Sequence, residues 1–158
     1  MIFAKKNIER LEFKVWPSAD DFWQKFGFLS SYIHDATFAL GDIKLARQSG
    51  ILTIKIDRDC WELRDVPKSG NLPKTKSLLK IFYVDSLQLI FDDAAHFISG
   101  LGIGRSIFVI TSIYFDSYND TLVFSDSAYH QRLTIRYKDV YPGLPVIELR
   151  DLSTAPRK

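Results

Sequence analysis

The chain has 158 residues, the size of one compact domain that buries about two-thirds of the surface its unfolded form exposes. Apolar residues make up 46% and charged residues 25%, which excludes collagen-like, intrinsically disordered and helix-spanning membrane classes. Twenty-one Lys and Arg against nineteen Asp and Glu leave +2, too little to attract a polyanion over the whole surface, so any electrostatic partner must be read locally.

Alternation of Leu11, Phe13 and Val15 with Glu12, Lys14 and Trp16 predicts a strand over residues 9–16, stopped by Pro17. Ser18, followed three places later by Asp21, reads as a helix start, and Phe22, Trp23 and Phe26 share one face. The helix is expected over 18–26, ended by Gly27. Phe38 and Leu40 share one parity, and Ile43 and Leu45 share the other. A bulge at Gly41 would absorb the slip within a long hairpin over 36–57, turning at Arg47-Gln-Ser-Gly50. Residues 65–77 carry two prolines and no apolar period, the marks of an exposed loop. Strands follow at 78–84 and 87–91, joined at Asp85-Ser86.

Residues 92–99 read as one or two helical turns ended by glycines at 100, 102 and 104. Short connections make 106–115, 121–125 and 129–137 an antiparallel meander. The 106–115 run is apolar on both faces and is expected to be central. A last short strand is placed at 146–150, and 153–158 form a frayed tail of a single domain over 1–152.

The resulting fold is mainly β in the α+β sense: an antiparallel curved sheet, sandwich or partial barrel of about eight strands, with one short N-terminal helix packed on it. The expected core is Phe13, Phe22, Phe26, Phe38, Leu52, Ile54, Ile81, Leu89, Val109, Ile113, Leu122, Phe124, Leu133 and Ile135. One cysteine, Cys60, allows no internal disulfide, and the N-terminal residues lack the order of a secretory signal. A cytoplasmic address is the simplest expectation, with no membrane span.

Several constellations bear on chemistry. His34-Asp35 opens the hairpin, where an imidazole serves as base or metal ligand and a carboxylate orients its ring; a turn-capping pair is the blander reading. Asp92 and His96 have the i, i+4 spacing of a half-site, which His34 and His130 would complete as a three-histidine metal centre. Gly100-Leu-Gly-Ile-Gly104-Arg105 has neither the spacing nor the following helix of a phosphate loop, leaving Arg105 at a cavity rim. Cys60 stands beside Arg58, which would favour its thiolate, but a free cysteine is ordinarily a small buried hydrophobe. Arg64, Lys68, Lys74, Lys76 and Lys80 face Asp65 alone in sequence, a basic loop suited to phosphates or an acidic protein. The lack of a ring between Trp61 and Phe82 argues against single-strand binding. Asp116, Asp120 and Asp126 lack the spacing of a calcium loop.

Tyr32-Ile-His-Asp-Ala-Thr-Phe38, followed by a hairpin ending in Leu52-Thr-Ile-Lys-Ile56, resembles small bacterial domains that open with a His-Asp-Ala turn and continue in β structure, some of them classed as toxin-immunity proteins. The likeness covers residues 32–56. It implies a cytoplasmic, non-catalytic, partner-binding domain and transfers no catalytic residue.

Three functions are therefore expected in order. The first is a non-catalytic binding domain with a protein partner or a second copy, needing no cofactor. The second is a metal-dependent hydrolase built on His34, His96 and His130. The third is a nucleic-acid binder using the 64–80 loop.

Overall fold

The computed structural model describes residues 10–63, 72–91, 107–128, 130–138, 141 and 143–152. Its elements are β1 (Glu12–Val15), α1 (Phe22–Tyr32), β2 (Thr37–Ala39), β3 (Ile43–Ala46), β4 (Ile51–Asp59), β5 (Lys74–Ile81), β6 (Val84–Phe91), β7 (Ile107–Val109), β8 (Ser112–Asp116), β9 (Thr121–Asp126), β10 (Gln131–Tyr137) and β11 (Ile147–Asp151). Seven strands form one sheet in the order β1-β11-β5-β4-β2-β7, with β3 also on β4; the other sheet runs β6-β10-β9-β8. Every pairing is antiparallel. One apolar core joins the inner faces of both sheets and the buried face of α1, so the fold is the expected β-rich sandwich with a short helix packed on it, the one α-helix among the described residues.

The strands among the described residues number eleven because two expected runs are broken. The first hairpin arm is divided into β2 and β3 by a 3-10 turn at Leu40–Asp42, where the slip at Gly41 had been placed. The Asp42 carboxylate closes that turn by accepting the Ala39 N–H at 2.9 Å. The 106–115 run is also divided. β7 is an end strand of the large sheet and β8 an end strand of the small one, so the run is not central. Its two apolar faces have a different origin: Phe108 and Ile110 point into the core before the chain changes sheets, and Ile113 does so afterwards. Val109 is accordingly half-buried, whereas most of the expected core residues are buried and Phe13 and Leu89 pack partly buried against them. The change of sheets is fixed where Ile110 N–H bonds Ala36 O and Thr111 N–H bonds Ser125 O, both at 2.8 Å.

A similar correction applies at residues 82–83. β5 ends at Ile81 in the large sheet and β6 starts at Val84 in the small one, across the left-handed Tyr83 (φ 58). Asp85 and Ser86 are thus strand residues rather than the connection. The 65–77 loop is also shorter than expected at its far end, because Lys74 to Ser77 belong to β5.

α1 begins at Phe22 and runs through Gly27 to Tyr32. Ser18 does not cap it; the turn before the helix is closed by Ala19 N–H to Trp16 O at 3.0 Å. The helix continues because Leu29, and then Ile33 just past its end, extend the buried stripe of Phe22 and Phe26, and that burial outweighs one glycine. Trp23 does not share the stripe and is 69% exposed. Rings of α1 meet Phe13 of β1 and Phe115 of β8, so the helix bridges the two sheets on one side. A Cβ at Gly27 would meet nothing within 4 Å. The Gly27→Ala variant is therefore expected to gain about 0.5–1 kcal/mol in urea unfolding, since alanine loses less backbone entropy on entering a helix.

Candidate functional site

His34 and Asp35 occupy the turn between α1 and β2. Asp35 adopts a left-handed conformation (φ 69), which turns the two side chains toward each other, with His34 Nδ1 and Asp35 Oδ2 3.2 Å apart. The Trp61 indole N–H donates to His34 O at 2.7 Å, and its ring lies edge-on to the imidazole at 5.9 Å. Both side chains of the pair are about half exposed. The pair is a turn tied to the chain end of β4, and Asp35 N–H is bonded to Ile110 O at 2.8 Å.

The metal reading gains no support from the described residues, among which no group of three His, Cys, Asp or Glu is placed to hold an ion. His130 sits exposed in the turn before β10. Asp92, His96 and Arg105 lie outside the described residues, as do Arg64 and Lys68. The three aspartates of the small sheet diverge in role. Asp116 accepts the N–H groups of Tyr118 and Asn119 and the Asn119 amide, which hold its carboxyl below the ordinary range. Asp120 accepts Gly143 N–H at 2.8 Å, and Asp126 is buried.

Three of the basic residues expected on a loop, Lys74, Lys76 and Lys80, stand instead on β5, alternating outward from the large sheet. Lys74 is directly opposite Asp59, and Lys76 is opposite Asp57. Their ammonium groups bond these carboxylates at 2.7 and 2.6 Å, and both lysines are held above their ordinary range chiefly by those bonds. Cross-strand pairing thus removes much of the charge that sequence proximity assigned to this segment. Lys80 lies on the same face, between Thr53 and Glu148 in register.

The feature missed from sequence is inside the opposite face. Arg58 is fully buried at the end of β4. Its Nε and Nη2 donate to Asp151 at 3.1 Å each, and Nη1 and Nη2 donate to the two oxygens of Glu62 at 2.8 Å. Ser77 Oγ–H donates to Asp151 at 2.6 Å, and Leu11 N–H donates to it at 2.9 Å. Burial by itself lowers the guanidinium's pKa, yet Glu62 and Asp151 hold it above the ordinary range. These groups fasten β4, β5 and β11 to the start of β1 and leave no N–H of Arg58 for a substrate.

Cys60 follows directly and is 2% exposed. Burial pushes its thiol up to about 11, outweighing the opposing effect of Arg58. At pH 8 such a thiol is ionised in about one molecule in a thousand. Native protein is therefore expected to resist a disulfide reagent such as Ellman's at pH 8 and to react at once in denaturant. Rapid reaction of the folded protein would contradict that environment.

The edges of β3 and β6 leave a groove of about 440 Å³. Leu40, Ile43, Leu45, Leu87 and Leu89 line it, with Arg47 and Asp85 also at its walls. β6 spans eight residues, pairs only with β10 among the described strands, and contains no Lys, Arg or Pro. The other edge strands are better protected: β1 and β3 carry Lys14 and Lys44, β7 has three residues, and β8 is held by the rings of α1. Among the described residues no helix is long and apolar enough to cross a membrane. No protein-family model, no curated protein and no solved structure matches the chain.

Proposed function

We propose that the protein is a non-catalytic cytoplasmic binding domain that takes up an extended segment of a partner protein along β6. The observation carrying this reading is the long β6 edge, which among the described strands pairs only with β10 and lies beside an apolar groove. An unpaired strand edge presents a row of N–H and C=O groups that a second strand satisfies, while alternate side chains of that strand enter the groove. Arg47 and Asp85 give the groove opposite charges, which favour one direction of the incoming segment. The likeness of residues 32–56 to toxin-immunity domains agrees with a protein partner.

Selection of displayed random peptides on the purified protein tests the proposal. Enriched sequences should carry aliphatic residues at every second position, and their binding should shift amide resonances of β3 and β6. Methylation of the peptide backbone nitrogens should weaken binding by at least about tenfold, because it removes the edge hydrogen bonds without altering the protein. Unpatterned enrichment, shifts confined to other strands, or unaffected binding by the methylated peptide would each overturn the reading. A dimer that blocks the peptide would reassign the edge to a second copy.

A further inference from the structure

The outward face of the large sheet bears a second, independent arrangement. Along it stand Lys14, Lys44, Lys55, Lys74, Lys76, Lys80 and Arg150, against Glu12, Asp57, Asp59 and Glu148. Lys74, Lys76 and Lys14 are paired with Asp59, Asp57 and Glu148. Lys44, Lys55, Lys80 and Arg150 have no carboxylate within ion-pair distance among the described residues. In register, Lys44 and Lys80 flank Thr53, and Lys55 and Arg150 flank Leu78. Neighbouring strands are about 4.8 Å apart, so each flanking pair of backbones is separated by about 10 Å, with one row about 7 Å from the next.

Arg150 contrasts with Arg58. Every N–H group of Arg58 is consumed internally, whereas Arg150 Nε is a buried donor without a partner. Glu148, opposite Lys80, and Glu12, opposite Arg150, offset part of the repulsion among the four cations, and an acidic ligand removes the rest.

We propose that this face docks a short acidic protein segment, whose carboxylates lie over Lys44, Lys55, Lys80 and Arg150. Charge complementarity selects an anion, and two details select the protein class. The nearest rings along these strands, Trp16 and Phe82, lie past the ends of β1 and β5 and pack on each other with centroids 6.4 Å apart, and the positions between the four cations are Thr53 and Leu78, which give bases nothing to stack on. The cations form a compact patch that takes in Glu148 beside Lys80 and is bordered by Glu12 on one side and by Asp57 and Asp59 on the other, which accepts a short run of charge and repels a long polyanion.

A labelled hexaglutamate peptide, followed by fluorescence anisotropy at low salt, is the probe. The wild type should bind it, more weakly as salt rises. The Lys44→Ser/Lys55→Ser variant should lose about tenfold in affinity, and Lys44→Arg/Lys55→Arg should retain it. Both lysines are exposed, so these variants keep the fold. Absence of binding at low salt, or equal binding by the serine variant, would overturn the proposal. Tighter binding of single-stranded or duplex DNA of equal charge would overturn it in favour of a nucleic-acid surface.

Discussion

Replacing Arg58 by methionine is expected to destabilise the protein by about 3–5 kcal/mol in urea unfolding, because the loss strands two carboxylates around a site built for a cation. The side chain is fully buried and makes four bonds to Glu62 and Asp151 between 2.8 and 3.1 Å. Asp151 would keep Leu11 N–H and Ser77 Oγ–H, too little to stabilise a charge buried at 4% exposure. The double variant Arg58→Met/Asp151→Leu removes charges of both signs from the inner face. It should recover a large part of the loss, since an apolar replacement of a buried ion pair is often neutral or stabilising. If Arg58→Met alone unfolds like the wild type, the network contributes no net stability and the account of this end of the sandwich is wrong.

In the hairpin, Leu52, Ile54 and Ile56 mark the buried parity, and position 58 continues it. The expected strand nevertheless stops at 57, where the run of apolar residues gives way to Asp, Arg and Asp. The same happened twice more: the strands expected to end at 125 and 150 run on to Asp126 and Asp151, on the buried parity of Phe124 and Leu149. A charged residue on the apolar parity at the end of a strand is therefore as good a sign of a buried polar cluster as of a turn. Such a residue remains in the sheet when the neighbouring strands supply its hydrogen bonds.

Other elements were legible for local reasons. Alternation located both hairpin arms and β9 and β10, and the aromatic spacing located the helix. What alternation cannot convey is which strands pair. Lys74 and Lys76 looked like an unopposed basic loop because their carboxylates, Asp59 and Asp57, arrive from β4 through cross-strand register. The β6 groove was equally hidden, because its walls are brought together by the facing of two sheets rather than by any local pattern. His34-Asp35 was visible as a pair, but only the left-handed backbone at Asp35 reveals that its carboxylate turns back on the imidazole.

The second large effect is expected at Asp126, whose carboxylate joins the two sheets. Asp126 belongs to β9 in the small sheet, yet its Oδ2 accepts the backbone N–H of Val109 in β7 of the large sheet at 2.9 Å. The same oxygen accepts the Gln131 amide at 3.1 Å, and that amide also donates to Ile107 O at 3.2 Å. Asp126 is 1% exposed, so Asp126→Ala leaves these donors without an acceptor in a place water scarcely reaches. At about 1–3 kcal/mol for each unsatisfied group, the variant should lose about 2–5 kcal/mol. Asp126→Asn keeps one acceptor oxygen and should lose less. The loss should also be local before it is global: β7 has only three residues, so amide exchange at Val109 should accelerate more than exchange in β4 or β10. Unchanged protection of Val109 in Asp126→Ala would mean that β7 is held by its ladder to β2 alone, and that the joint between the sheets lies at Ile110 and Thr111.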